Sequence, residues 1–111
     1  MVEVRITAPF KRRFKALSKR YRKIQSDIKP VVEALQKGQF EGDRIPSTTV
    51  TVFKVRAKNS DIPTGKSGGY RIIYQLVSPK LVFLLLIYAK SDQTDVAIED
   101  IEEAVRQSLA E

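Results

Sequence analysis

The sequence predicts a single α+β domain in the order strand, helix, helix, three strands, helix. Two observations carry this prediction: a pair of apolar segments at 70–76 and 81–89, and apolar residues at helical spacing on both sides of them. The 111 residues, 42% of them hydrophobic, suffice for one modest core. No internal repeat or low-complexity linker divides the chain. We therefore expect residues 1–111 to form one domain.

The N-terminal third predicts a strand followed by a basic helix. Residues 2–7 alternate apolar and polar side chains, which is typical of a half-buried strand. Thr7-Ala8-Pro9 is typical of a helix start, because proline is favoured in the first turn. After it, apolar residues recur three or four positions apart and predict one helix face. These residues are Phe10, Phe14, Leu17, Tyr21, Ile24 and Ile28.

A second helix is expected around Pro30. Proline lacks the N–H that a helix interior needs, so the first helix should break before it. Ser26 or Asp27 would cap the second helix, which would end at Gly38. Residues 39–47 predict a loop, and the two helices should form an antiparallel hairpin.

Three strands should follow, at 48–57, 70–76 and 81–89. The last is uncharged and too short for a bilayer, which needs about 20 apolar residues, so we interpret it as the central strand. Residues 78–80 form a hairpin turn, which makes the last two strands an antiparallel pair. Side chains alternate between the faces of a strand, so Lys54 and Arg56 share a face, and Arg71 is an isolated cation in an apolar strand.

The C-terminal segment predicts a short acidic helix that packs its apolar side on the sheet. Its apolar positions are Ile98, Ile101, Val105 and Leu109.

The amino-acid composition excludes several kinds of catalytic and metal site. Cysteine and histidine are absent, which excludes disulfides, thiol nucleophiles, histidine-based triads and the usual zinc sites. The net charge of +7 is uneven: residues 1–90 are strongly basic and residues 91–111 are acidic. This asymmetry predicts a polyanionic partner such as nucleic acid, although a solvated basic helix face would look the same. No signal peptide is apparent, so a cytoplasmic location is the default expectation.

The candidate chemistry lies in the cations of the predicted sheet. Lys54, Arg56 and Arg71 could meet on one face, where they would bind a phosphate. Such a cluster could also cleave RNA without a metal or cofactor, through a lysine that assists attack of the 2′-OH and an arginine that stabilises the developing charge. Alternatively, Arg71 pairs with a carboxylate, and Lys54 and Arg56 protect an edge strand from aggregation.

Three stretches carry a resemblance to a known family. They are Lys54-Val55-Arg56, then Gly65-Lys66-Ser67-Gly68-Gly69-Tyr70-Arg71-Ile72-Ile73-Tyr74, then Ile87-Tyr88-Ala89-Lys90-Ser91. Together with a first strand followed by two helices, this set resembles the RelE/ParE toxin superfamily of type II toxin–antitoxin systems, nearest its RelE and HigB-like branch.

The resemblance implies a RelE-like fold and a toxin that cuts mRNA in the ribosomal A site. It implies that Lys54 is catalytic, that Arg56 contacts phosphate, that Arg71 stabilises the transition state, and that Lys90 is the basic group after the last strand. This chain departs from the family at Val52, where relatives often have lysine, and in lacking a tyrosine beyond Tyr88. The identity of the general acid is therefore open: Lys66 or Lys90 could substitute, and Tyr88 is closer to the strand than the family tyrosine would be.

The resemblance also implies partners: a cognate antitoxin protein, the ribosome and mRNA, with no membrane and no small-molecule cofactor. Cations of the first helix and of the loop before the 70–76 strand would contact RNA phosphates. These cations are Lys11, Arg12, Arg13, Lys15, Lys19 and Lys66. Alternatives are a ParE-like inhibitor of DNA gyrase and an inactive relative that acts by binding. In this family, C-terminal elements can also move when an antitoxin binds.

Overall fold

The computed structural model describes residues 1–62 and 68–110. Helices and strands follow one another in the predicted order, with one additional short strand, which confirms the α+β class. The elements are β1 Glu3–Ile6, α1 Ala8–Ser18, α2 Ile24–Gln36, β2 Asp43–Arg44, β3 Val52–Ala57, β4 Tyr70–Ser78, β5 Leu81–Ala89 and α3 Ile98–Leu109.

The strands form a mixed sheet in the order β1-β5-β4-β3-β2. β1 runs parallel to β5, and the other neighbours are antiparallel. The predicted β4–β5 hairpin is confirmed. β5 is an interior strand, but the middle position belongs to β4, because β1 alone lies beyond β5 while β3 and β2 lie beyond β4.

The two faces of the sheet are covered differently. On one face, α1 and α2 pack on Tyr70, Ile72 and Tyr74 of β4, each 0% exposed. On the other face, α3 packs on Val52 and Ile73 and on neighbouring residues of β5. We call these the helical-pair face and the α3 face. The predicted alternation in β3 and β4 is confirmed, because Phe53 and Val55 of β3 join the first cluster.

A β-bulge interrupts the pairing of β4 with β5. Ile73 lies opposite Leu86 and Tyr74 lies opposite Leu84, so Leu85 has no partner on β4. Leu85 and Leu86 both belong to the cluster under α3. The bulge therefore exchanges the faces to which odd and even residues of β5 point.

The helix boundaries differ from the prediction. α1 ends at Ser18 and α2 begins at Ile24, so the apolar stripe is shared between two helices, and Pro30 lies inside α2. Pro30 removes the bond to the Ser26 carbonyl, but both residues are exposed and water can solvate that group. The break comes earlier because Tyr21 packs edge-on against Tyr70, with ring centroids 5.8 Å apart.

The predicted strand at 48–57 is too long and the predicted loop at 39–47 is not entirely loop. Regular pairing of β3 starts only at Val52, and Asp43–Arg44 forms β2 beside Lys54 and Phe53. Gly42 precedes β2 at φ +106°, where an added Cβ would lie 2.4 Å from the Lys54 carbonyl oxygen. Only glycine permits this approach.

α3 packs on the sheet, as predicted. Ile101 and Val105 are buried, but Leu109 is 75% exposed and Ala104 takes its place in the contact. No helix in the described part of the chain has the length and apolar character needed to cross a membrane.

Candidate anion site on the sheet

Four polar side chains lie together on the α3 face, and we call Lys54, Arg56, Arg71 and Tyr88 the sheet site. Arg56 of β3 is paired with Arg71 of β4, which is paired with Tyr88 of β5. Neighbouring strands are about 5 Å apart, so the three residues form a continuous row. Lys54 lies two residues from Arg56 on the same strand and face. The predicted convergence of Lys54, Arg56 and Arg71 is therefore confirmed.

Arg71 is the unusual member of the site. It is 6% exposed, and its Nη1 donates a hydrogen bond of 3.2 Å to the Tyr70 carbonyl. None of the ion pairs formed within residues 1–62 and 68–110 involves Arg71. The alternative in which a carboxylate neutralises it finds no support there. A buried guanidinium has five donors, so Arg71 keeps donors that can bind an anion.

Asp95 is the carboxylate that reaches the sheet site. Its Oδ1 accepts a hydrogen bond of 2.9 Å from the Val96 N–H and lies 3.5 Å from both Lys54 Nζ and the Tyr88 hydroxyl. The Val96 N–H, followed by the positive charge of Lys54, lowers the pKa of Asp95. Asp95 is therefore an anion that is already bound by part of this site.

Tyr88 supplies a proton-bearing group beside Arg71. Burial of its hydroxyl raises the pKa of Tyr88, and the negative charge of Asp95 raises it further. Arg71 acts in the opposite direction, which places the guanidinium within electrostatic range of the phenol. Tyr88 therefore stays protonated at neutral pH and can donate its proton.

Lys90 and Lys66 are the other lysines predicted at the site. Lys90 lies just after β5, and its Nζ donates a 2.9 Å hydrogen bond to the Thr94 carbonyl. Its charge also contributes to the lowered pKa of Asp95, so it lies near the sheet site without being a member of the row. Lys66 lies outside the described residues.

The predicted cations of α1 line the side of the domain next to β5. Arg12 donates a 2.6 Å hydrogen bond to Gln107 of α3, and Arg13 is half-buried. Arg13 also lines a depression of about 240 Å³ that reaches Tyr88. Lys11 and Lys15 are exposed on α1. Lys19, which the prediction placed in the first helix, is exposed just after the end of α1 at Ser18. α1 thus extends positive charge beyond the edge of β5.

One acidic residue of β2 lies beside the sheet site, and two others lie in the first turn of α3. Asp43 of β2 is paired with Lys54, and α3 carries Glu99 and Asp100 in its first turn. In the part of the chain that the structure describes, no group of three or more acidic side chains is arranged to hold a metal ion. The side chains at the site supply ammonium, guanidinium, phenol and carboxylate groups.

Two features of the site escape sequence reasoning. Tyr88 reaches the α3 face only because of the bulge at Leu85, and β5 is apolar on both faces, so its pattern does not reveal the shift. Asp95 lies in a segment with turn-forming composition that predicts no particular contact. The one hint in the sequence that Asp95 contacts the site is that it lies a few residues after Tyr88 and Lys90.

A scan against protein-family models and a search of curated proteins each found no match to this chain.

Proposed function

We propose that this chain is a RelE-like toxin of a type II toxin–antitoxin system, a metal-independent endoribonuclease that cuts mRNA on the ribosome. The observation that carries the proposal is the buried Arg71 guanidinium, free of an ion-pair partner among the described residues and flanked by Arg56 and Tyr88. A buried cation is costly to maintain, and binding an anionic ligand is a function that accounts for it.

The proposed reaction uses the RNA's own 2′-OH as nucleophile. As the 2′-oxygen bonds to the adjacent phosphorus, its proton passes to solvent water and the Lys54 ammonium stabilises the charge that develops on that oxygen. Arg71 stabilises the extra negative charge on the phosphate oxygens. The P–O5′ bond then breaks, and the Tyr88 hydroxyl gives its proton to the leaving oxygen. The products are a 2′,3′-cyclic phosphate and a free 5′-hydroxyl.

The assignment of Tyr88 as proton donor rests on its position in the row. It lies directly opposite Arg71, while the Lys90 ammonium is bonded to the Thr94 carbonyl. Arg56 is exposed at the open end of the row, where it binds the next phosphate along the chain. The exposed cations of α1 add contacts to ribosomal RNA.

The element order and the two N-terminal helices support a RelE-like fold, and a basic surface supports a partner of complementary charge. We propose a cognate antitoxin that covers this surface, in the cytoplasm where the ribosome is found.

The test is induction of the chain alone in bacteria, followed by labelled amino-acid incorporation and mapping of mRNA 5′ ends. We expect rapid loss of incorporation and new 5′ ends within translated regions. Arg71→Met, which keeps the aliphatic volume and removes the charge, should abolish both effects. Lys37→Met removes an equal charge at the end of α2 and should leave both effects intact.

The alternatives give other results. Growth arrest with DNA-damage signalling and no new mRNA ends would contradict RNA cleavage and support gyrase inhibition. Absence of arrest with a folded protein would support an inactive relative. Full toxicity of Arg71→Met would remove the basis of the proposed mechanism.

A further inference from the structure

The segment from Lys90 to Val96, which we call the 90–96 loop, places a carboxylate over the sheet site. Asp95 Oδ1 lies 3.5 Å from Lys54 Nζ on β3 and 3.5 Å from the Tyr88 hydroxyl on β5. β4 is the strand between them. The carboxylate therefore spans β4 on the α3 face, and a phosphate that contacts Lys54 and Tyr88 would meet it there.

We infer that Asp95 is the resident anion of the sheet site and that an anionic ligand binds by replacing it. A carboxylate and a phosphate oxygen present the same kind of acceptor to lysine, arginine and tyrosine donors. The two negative groups also repel each other, so they cannot share the site without cost.

The contacts of the Asp95 side chain are weak enough for an anionic ligand to displace its carboxylate. The Lys54–Asp95 pair is long at 3.5 Å, and the Asp95 side chain is 64% exposed. Arg20 also binds Asp92, at 2.7 and 3.0 Å, and Lys90 binds the Thr94 carbonyl within the loop. The two ends of the loop are held separately, by the Lys90 N–H bond to the Gly69 carbonyl and by Val96 in the cluster under α3. Exposed ion pairs contribute little to stability, so competition by a multivalent polyanion can displace them.

The same geometry leaves the buried Arg71 without an ion-pair partner among the described residues. Asp95 is paired with Lys54, not with Arg71. Its carboxylate therefore occupies the outer part of the site and leaves the inner guanidinium able to accept a phosphate. Replacement of Asp95 by ligand would expose the 90–96 loop and bring a stronger, multidentate anion to Arg71.

The inference rests on the anion-binding part of the proposed function and does not require RNA cleavage. It is tested with a short 2′-O-methyl RNA oligonucleotide, which has a phosphate backbone but no nucleophilic 2′-OH. Binding is measured by fluorescence anisotropy for the wild type and for Asp95→Asn. We expect the substitution to tighten binding by about three- to tenfold, since it removes a competing charge next to the ligand.

Glu33→Gln is the matched control, because it removes the same charge from an exposed position on α2, across the sheet. An equal effect of the two substitutions would show general electrostatics and overturn the inference. Weaker binding by Asp95→Asn would overturn it too, since Asp95 would then position Lys54 and Tyr88 for the ligand. Thermal unfolding of each variant checks that it is folded.

A second measurement keeps the two proposals distinguishable. In hydrogen–deuterium exchange, oligonucleotide binding to the wild type should speed exchange in the 90–96 loop; unchanged or slower exchange there would contradict replacement. If Arg71→Met fails to weaken oligonucleotide binding, the sheet site itself is wrong and the proposed function fails. If Arg71→Met weakens binding but Asp95→Asn matches Glu33→Gln, only the role of Asp95 is wrong.

Discussion

The two faces of the sheet use alternate residues of the same strands for opposite purposes. On the helical-pair face, β4 contributes Tyr70, Ile72 and Tyr74 to a closed apolar core under α1 and α2. On the α3 face, Ile73 is covered by an apolar cluster, while Arg71 at the start of the strand carries a charge. The difference teaches that stability and ligand chemistry can be separated by a single position in sequence.

The largest expected effect comes from breaking the closed face. Ile72→Ala removes a side chain that is 0% exposed and leaves a cavity, so the free energy of unfolding should fall by about 2–5 kcal/mol. Urea unfolding of the purified protein measures the change. A loss below about 1 kcal/mol would mean that the helical-pair face is not the main source of stability.

A substitution on the α3 face should have a smaller effect on the free energy of unfolding, and of opposite sign. Arg71→Met replaces a buried cation that has no ion-pair partner in the described structure by an apolar chain of similar length. The free energy of unfolding should rise by about 1 kcal/mol while activity is lost. Lys37→Met serves as the control and should leave unfolding almost unchanged, because Lys37 is exposed. Marked destabilisation by Arg71→Met would mean that the guanidinium is structural.

The smallest effect concerns alkaline pH. Burial raises the pKa of Tyr74 to about 12, and it also raises the pKa of Tyr70 and of Tyr88. A tyrosine ionises near pH 10 in the unfolded chain, so the stabilisation is complete below about pH 10 and is lost as the pH rises through the folded-state pKa.

Tyr74→Phe therefore makes the fall in the free energy of unfolding above about pH 10 less steep. The midpoint of alkaline unfolding should move upward by about half a pH unit. Circular dichroism during a pH titration measures the midpoint for each variant, relative to its own stability at neutral pH. Tyr88→Phe gives the same comparison for the α3 face. An unchanged midpoint in both would show that neither phenol limits alkaline stability.

Much of the fold follows from periodicity. The bounds of β5 at Leu81 and Ala89 are as predicted, and so are the alternating faces of β3 and β4, because burial imposes a strict period of two. The convergence of Lys54, Arg56 and Arg71 follows from that period and from the antiparallel pairing.

The helix boundaries that the sequence did not predict depend on contacts between residues far apart in the chain. The end of α1 at Ser18 has no glycine or proline to announce it; the packing of Tyr21 on Tyr70 and the pairing of Arg20 with Asp92 occur there instead. Pro30 lies inside α2 because Ile24 and Ile28 bury their side chains ahead of it. Local propensity cannot anticipate either outcome.

The bulge at Leu85 decides which residues of β5 face the sheet site, because it shifts the alternation of side chains by one position. Up to Leu84, the even-numbered residues of β5 point to the helical-pair face; beyond the bulge, the odd-numbered ones do. Deleting Leu85 would restore an uninterrupted strand in which the remaining residues keep their faces, with Leu84 on the helical-pair face and Tyr88 on the α3 face. A one-residue insertion or deletion between Leu86 and Tyr88 would instead turn Tyr88 to the helical-pair face, so it should damage the sheet site more than most substitutions there.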